Sequence, residues 1–473
     1  MDILIGRKRE TESLLKSYHS TQSEFVVIYG RRRIGKTFLV NSVFSDRFTF
    51  RYTGGHHLRS EQQLAKFSEA LKTYGHSTFV PNLKNWFDAF RHLEWLLDAL
   101  PKSERKLVFM DEMPWIDTQH SDFVAALEDF WNSWAALRDD ICFIACGSAS
   151  SWMVDKLIDN QGGLHNRVTN RVYLPPFTLA ECEVYLQSRG FVWDRYQVTQ
   201  CYMAFGGVPF YLKLLDPQWS WAQNIDALYF RKDGVLNNEF DELYHALFRN
   251  SEKYIAVVKA LAAKREGLTR QEITQETGLS GGGLTHILRN LERCDFILGY
   301  AKFNSASKNT IYRLIDFFTL FHLRFEEGQK SRDQNYWSNR QSKPQVIAWQ
   351  GLTFELVCLV HLEQIKKSLG ISGIATHSCS WRSGSREHRA QIDLLINRDD
   401  RIINLCEMKF SQGPYVIDKN YEMTIRERIS LFKAETKTRK GIAVTFVTTF
   451  GIMPNSHASI VQNSVTLDNL FAN

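Results

Sequence analysis

The sequence predicts an α/β fold with a buried parallel sheet at its N-terminal end, and three stretches carry that expectation. Phe25-Val26-Val27-Ile28-Tyr29 reads as a strand. It runs into Gly30-Arg31-Arg32-Arg33-Ile34-Gly35-Lys36-Thr37, after which Phe38, Leu39 and Val43 mark one face of a helix. Leu107-Val108-Phe109-Met110 is continuously apolar, as expected of a strand covered on both faces, and ends in Asp111-Glu112. Far downstream, 390–396 and 402–410 alternate as two strands joined by Asn397-Arg398-Asp399-Asp400-Arg401. A chain of 473 residues exceeds a single core, so about three domains are expected.

Composition bounds the setting. Hydrophobic residues make up 44% and aromatic residues 13%, ample for globular packing. No apolar stretch reaches the roughly 18 residues that span a bilayer, and Met1 to Arg9 lacks the apolar core of a signal peptide. A cytoplasmic protein without a membrane partner is the expectation. Eight cysteines are scattered without Cys-x-x-Cys spacing, which removes zinc ribbons and redox pairs. A net charge of +6 permits nucleic-acid contact without requiring it.

The segment 30–37 has the pattern G-x-x-x-x-G-K-T between a strand and a helix. Gly30 and Gly35 let backbone N–H groups approach a phosphate chain, and the helix N-terminus points its dipole at the anion. Arg31, Arg32, Arg33 and Ile34 complete the loop. Lys36 supplies charge to the β- and γ-phosphates, and the Thr37 hydroxyl is a ligand for Mg²⁺. Asp111, at the carboxyl end of its strand, is a second Mg²⁺ ligand, while Glu112 orients and deprotonates the attacking water. Ser148, at the tip of strand 141–146, either senses the γ-phosphate or caps the following helix. Arg167, in the loop 161–167, and Arg171, opening the next strand, are candidates to stabilise transferred charge, including in trans across a homo-oligomer.

Other elements follow in order. Ile5-Gly6-Arg7 leads into a helix with Glu10, Leu14 and Leu15, which either caps the sheet or contacts a base. A strand is predicted over 47–53, then two amphipathic helices, and later a helix over 123–137. Thr178-Leu179-Ala180-Glu181 is a capping box that opens an all-helical stretch, so the sheet ends near Leu174. Gly206-Gly207-Val208-Pro209 marks a helix junction. From Ser251, three short helices precede a hairpin over 296–303 and 310–314, the order of a winged helix. The third helix, 280–294, turns Leu284, Ile287, Leu288 and Leu291 to one face and His286, Arg289, Asn290 and Arg293 to the other. Such a module binds DNA, mostly through phosphates, or serves as a rigid arm. Gly281-Gly282-Gly283 removes side chains where bases are usually read.

The polar segment 328–345, whose only aromatics are Tyr336-Trp337, is the expected linker. Beyond it, a helix over 346–369 carries Glu355. Folding the hairpin about Asp399 and Asp400 sets Asp393 near Glu407, and Glu407 shares a strand face with Lys409. Glu355, Asp393 and Glu407 are then candidate ligands for Mg²⁺ or Mn²⁺, with Lys409 assisting the nucleophile. A salt-bridged strand pair is the plain alternative.

These residues together resemble a bacterial and archaeal family of P-loop ATPases related to the AAA and STAND groups. The match runs through Ile5-Gly6-Arg7 with Glu10, the loop 30–37, Asp111-Glu112, Gly206-Gly207-x-Pro209 and the winged-helix pattern. The tail, with Phe354-Glu355, Gln391-Ile392-Asp393 and Glu407-Met408-Lys409, is similar to the restriction-endonuclease-like PD-(D/E)xK fold. The resemblance implies ATP as the nucleotide, an extra strand between the phosphate-loop and Asp111 strands, and a helical lid. It also places Gly6 and Arg7 near the adenine and matches Arg167 to the arginine of a Gly-Arg pair in which Asn166 stands for the glycine. The implied organisation is an ATPase core (1–175), lid (176–249), winged helix (250–327), linker (328–345) and nuclease-like tail (346–473). Two functions follow: ATP-driven cleavage or binding of DNA by the tail, or a STAND-like ATP switch whose tail binds a partner without cutting.

Overall fold

Strand β1 (Glu24–Tyr29) is flanked on both sides by parallel partners, β4 (Ile141–Cys146) and β5 (Asn170–Tyr173). With β2 (Phe50–Thr53) and β3 (Lys106–Asp111) they form a five-stranded parallel sheet in the order β2-β3-β4-β1-β5. An inserted strand, β4, therefore lies between the phosphate-loop strand and the Asp111 strand. Every residue of β3 and β4 is buried. Successive side chains serve opposite cores. Phe25, Val27, Val108 and Phe143 pack with Phe67, Trp86, Phe90 and Phe123, whereas Val26, Ile28, Phe109 and Ile144 pack with Leu14, Leu39 and Phe44.

The computed structural model describes residues 4–76, 78, 81–148, 150–303, 310–327, 333–383 and 390–472. They fall into two compact units, Met1–Pro176 and Phe177–Asn473. In the first, the strand expected over 47–53 is confined to Phe50–Thr53. The helix expected over 123–137 is α-helical only to Asp129 and continues as a π-turn, Phe130–Trp134, and a short 3₁₀ turn.

The second unit opens with helix Leu179–Ser188, whose Thr178/Glu181 capping box is formed. Helix Arg195–Phe205 ends at Gly206 in the left-handed region. Gly207, at φ 68°, could not carry a Cβ, which would lie 2.1 Å from the Phe177 carbonyl oxygen. Pro209 then starts the next helix.

Helices Ser251–Ala262, Arg270–Thr277 and Gly281–Arg293 surround a small antiparallel sheet. Its strands are β6 (Leu268–Thr269), β7 (Ile297–Tyr300) and β8 (Ile311–Leu314), in the order β6-β8-β7. The hairpin tip, 304–309, lies outside the described residues. Asn290, expected on the polar face of its helix, is buried, and its amide donates to the Tyr254 hydroxyl at 2.8 Å.

The segment expected as a linker lies outside the described residues at 328–332, and its described part is mostly exposed apart from the buried pair Tyr336-Trp337. Trp337 sits among Phe321, Phe325 and Trp349, and the buried Asp226 accepts the N–H groups of Trp337 and Ser338. Its polar composition conceals one apolar anchor. The helix expected over 346–369 is two, Pro344–Val360 and Leu362–Ser368, bent by 75°. The break falls at buried His361. Its Nε2 accepts the Leu179 N–H at 3.0 Å, while Nδ1 faces the Val357 carbonyl at 2.9 Å. Burial lowers the His361 pKa to about 4, so the ring is neutral and Nδ1 carries the proton that Val357 accepts.

A second five-stranded sheet closes the unit: β9 (Thr376–Arg382), β10 (Gln391–Arg398), β11 (Ile402–Lys409), β12 (Gly441–Thr448) and β13 (Asn463–Thr466). Its order is β13-β12-β11-β10-β9. The β9–β11 half is antiparallel, and β11 to β13 run parallel, with helix Lys419–Thr436 as the crossover parallel pairing requires. All eight cysteines are buried free thiols. Among the described residues no single helix is long and apolar enough to cross a membrane.

Candidate active site

The first candidate site is built at the carboxyl edge of the parallel sheet. Gly30 follows β1 at φ 146°, where a Cβ would stand 2.3 Å from the Leu174 carbonyl oxygen, so this position demands glycine. Arg33 and Gly35 also take positive φ, at 73° and 86°, curling the loop into the N-terminus of helix Lys36–Phe44. Lys36 is buried, and its ammonium donates to the carbonyls of Gly30 at 3.0 Å and Arg31 at 2.8 Å. Thr37 Oγ1 donates to Asp111 Oδ2 at 2.7 Å, joining the loop to the end of β3.

Glu112 sits one residue past β3 at φ 49° and begins helix Met113–Ile116. Its Oε2 accepts from the Ser148 hydroxyl at 2.8 Å and the Ser148 N–H at 3.2 Å. Burial raises its pKa above the usual carboxylate range, and the nearby Lys36 charge opposes that shift. Ser148 thus faces Glu112.

The remaining expected residues lie around this edge. Arg7 is buried at φ 58° and donates to the Pro175 carbonyl at 2.6 Å, next to the Leu174 carbonyl that abuts Gly30. Gly6, beside it, has φ 63°. Ile34 is buried against Gly30, and Arg32 is half-buried. Arg167 is exposed in the loop before β5, and Arg171 is exposed within β5 opposite Val27.

One positioning residue escaped the sequence reading. Gln63 is fully buried; its Nε2 donates to the Gly55 carbonyl at 2.7 Å and the Trp115 carbonyl at 2.8 Å. Its Oε1 accepts from the Tyr52 hydroxyl at 2.8 Å and the Gly55 N–H at 3.0 Å. It ties the turn after β2 to helix Met113–Ile116, which follows Glu112. The available signal was a polar residue four positions before Phe67 on the apolar face of helix Ser60–Tyr74.

Residues 4–215 match the family described as an ATPase domain predominantly from Archaea. This region is an ATPase domain of the P-loop type. An uncharacterised protein of Methanocaldococcus jannaschii is 24% identical over 371 residues, covering 77% of this chain and 78% of its own. A Walker-type ATPase of Pyrococcus abyssi aligns with a TM-score of 0.48 at 18% identity, over 68% of this chain and 96% of its own. A STAND protein with a tetratricopeptide repeat sensor from Pyrococcus horikoshii gives a TM-score of 0.32 at 16% identity, over 79% and 52%. The Aeropyrum pernix ORC1 protein in complex with DNA gives 0.37 at 13% identity, over 68% and 93%.

Outside the P-loop ATPase domain, a second site lies in the unit Phe177–Asn473. A cavity of about 1250 Å³ is lined by Glu355, Asp393, Glu407, Lys409, Arg265 and Arg428, among others. The β10–β11 register pairs Leu394 with Cys406, which one step further sets Asp393 opposite Glu407. Glu355 reaches the same cavity from helix Pro344–Val360. Each carboxylate already faces a cation. Glu355 is bound by Arg265 and, at 3.2 Å, by Arg313. Asp393 accepts from Gln391 Nε2 at 2.7 Å and stands 3.8 Å from Arg313. Glu407 is paired with Arg428, accepts from the Tyr421 hydroxyl at 2.6 Å and lies 3.7 Å from Lys409. Among the described residues no group of three or more His, Cys, Asp or Glu is arranged to hold a metal ion. In this arrangement the donor set does not fit Mg²⁺ or Mn²⁺.

Proposed function

We propose that this chain binds ATP with Mg²⁺ at the 30–37 loop and hydrolyses it. The observation that carries the reading is the 2.7 Å contact between Thr37 Oγ1 and Asp111 Oδ2, which brings two hard oxygen donors together beside the buried Lys36. Those two residues would hold Mg²⁺, which neutralises developing phosphate charge when bound. Lys36 supplies positive charge to the β- and γ-phosphates, and the loop N–H groups orient them. Glu112 takes the proton of the attacking water, with Ser148 fixing its carboxylate. Arg167, exposed on its loop, is the candidate to reach the transferred phosphoryl group, including in trans across a homo-oligomer. Eight reduced, buried thiols suit a cytoplasmic setting.

The ATPase domain is coupled, on this reading, to a winged helix formed by 250–327 and a PD-(D/E)xK-like tail acting on DNA through backbone contacts. Support comes from the helix and strand order around β6–β8 and from Asp393, Glu407 and Lys409 meeting on one hairpin. A second reading, a STAND-like switch whose tail binds without cutting, is favoured by the cation pairing of all three carboxylates. Incubation of the protein with ATP, Mn²⁺ and several DNA forms separates them. Cleavage that falls to background in Asp393→Asn while ATP hydrolysis continues supports the nuclease reading. Absence of Mn²⁺-dependent cutting on every DNA form supports the switch.

A further inference from the structure

Two of the cations paired with the cavity's carboxylates belong to a different module from the carboxylates. Arg265 lies in the turn between helix Ser251–Ala262 and β6, and Arg313 lies on β8, whereas Glu355, Asp393 and Glu407 belong to the tail. Arg313 is almost fully buried, and it bridges Glu355 to Asp393, at 3.2 Å and 3.8 Å. Arg265 binds the other oxygen of Glu355 and is the more exposed of the two.

The module is docked by further contacts. The Phe303 N–H donates to the Ser380 carbonyl at 2.9 Å, and Lys302 and Ser380 form a bridge, so the strand after β7 extends along β9. Arg382 of β9 donates to the Glu266 carbonyl at 3.4 Å and stands 3.9 Å from Glu272. The same module thus contacts β9 and supplies the two guanidinium groups that face Glu355 and Asp393, while Glu407 is paired within the tail by Arg428.

A divalent cation and two guanidinium groups compete for the same lone pairs. Carboxylates tied to fixed arginines offer a metal little net charge, and displacing a buried guanidinium leaves it unpaired. We infer that Arg265 and Arg313 form an arginine clamp on Glu355 and Asp393 that excludes divalent metal from their cavity. This inference rests on the nuclease-like reading of the tail and names what holds metal out of that site.

The test is Mn²⁺ binding by isothermal titration to the full chain without nucleotide, in wild type, Arg265→Gln and Arg265→Gln/Arg313→Gln, each with and without Asp393→Asn. Far-UV circular dichroism checks folding, and Arg265→Gln alone, at the more exposed position, stands if the double variant misfolds. The expected result is an Asp393-dependent site at least about tenfold tighter in the clamp variants than in wild type. Equal Asp393-dependent affinity in wild type and clamp variants would overturn the clamp and leave the metal reading intact. No Asp393-dependent binding in any variant would overturn the metal reading and the clamp with it.

Discussion

The phosphate loop and the carboxylate cavity both gather charge at the end of a sheet, yet they are made in opposite ways. The loop is local: eight consecutive residues wrap one helix N-terminus, and the neighbours Asp111, Glu112 and Ser148 come from two adjacent strand ends. Its charged group, Lys36, rests on backbone carbonyls of its own loop. The cavity is assembled from residues 265 to 434, and two of its carboxylates, Glu355 and Asp393, are answered by arginines from another module. A site that leans on its own backbone stays ready for a ligand. A site whose charges are satisfied by side chains of another module is closed by its own packing.

The difference can be broken at either end. Lys36→Ala removes the main side-chain cation for the β- and γ-phosphates, and ATP binding measured by equilibrium titration should weaken by about a thousandfold or more, on the scale of a desolvated charge pair. In the cavity, Arg313→Gln leaves Glu355 and Asp393 without their shared partner. Urea unfolding should show the second unit destabilised by roughly 3–5 kcal/mol, the cost of breaking a buried pair from one side. A loss below about 1 kcal/mol would mean that water or Arg265 takes over the charge.

The smallest expected effect concerns pH. Burial raises the Glu112 pKa, so this carboxylate, the proposed base, gains its proton at a higher pH than an ordinary carboxylate of about 4.3. As pH falls, the acid limb of the ATP hydrolysis profile should begin above that range. An acid limb at the ordinary carboxylate value would place the base elsewhere.

The contrast also explains what the sequence revealed. The loop 30–37, Asp111-Glu112 and the 390–410 hairpin were legible because their chemistry is set by local spacing and by turn-fixed register, which needs no knowledge of distant packing. Arg265 and Arg313 were not, since their role exists only after the β6–β8 module meets the tail. Arg313 left one trace, a charged residue on the same strand phase as buried Ile311. The burial of Tyr336-Trp337 was not legible, because an anchor of two aromatics in a polar segment has no periodicity to betray it. The His361 bend was hidden for a related reason: its cause is a hydrogen bond from Leu179, far away in sequence.

Glu112, held by Ser148 near Lys36, is the proposed base of the ATPase centre. Glu112→Gln keeps the hydrogen-bonding shape and removes the proton acceptor, so ATP affinity and turnover measured on the same preparation test it most directly. The prediction is affinity within about twofold of wild type with turnover lowered by about a hundredfold or more, the usual scale of general-base loss. Wild-type turnover in Glu112→Gln would contradict the claim and reduce Glu112 to a structural residue at the end of β3.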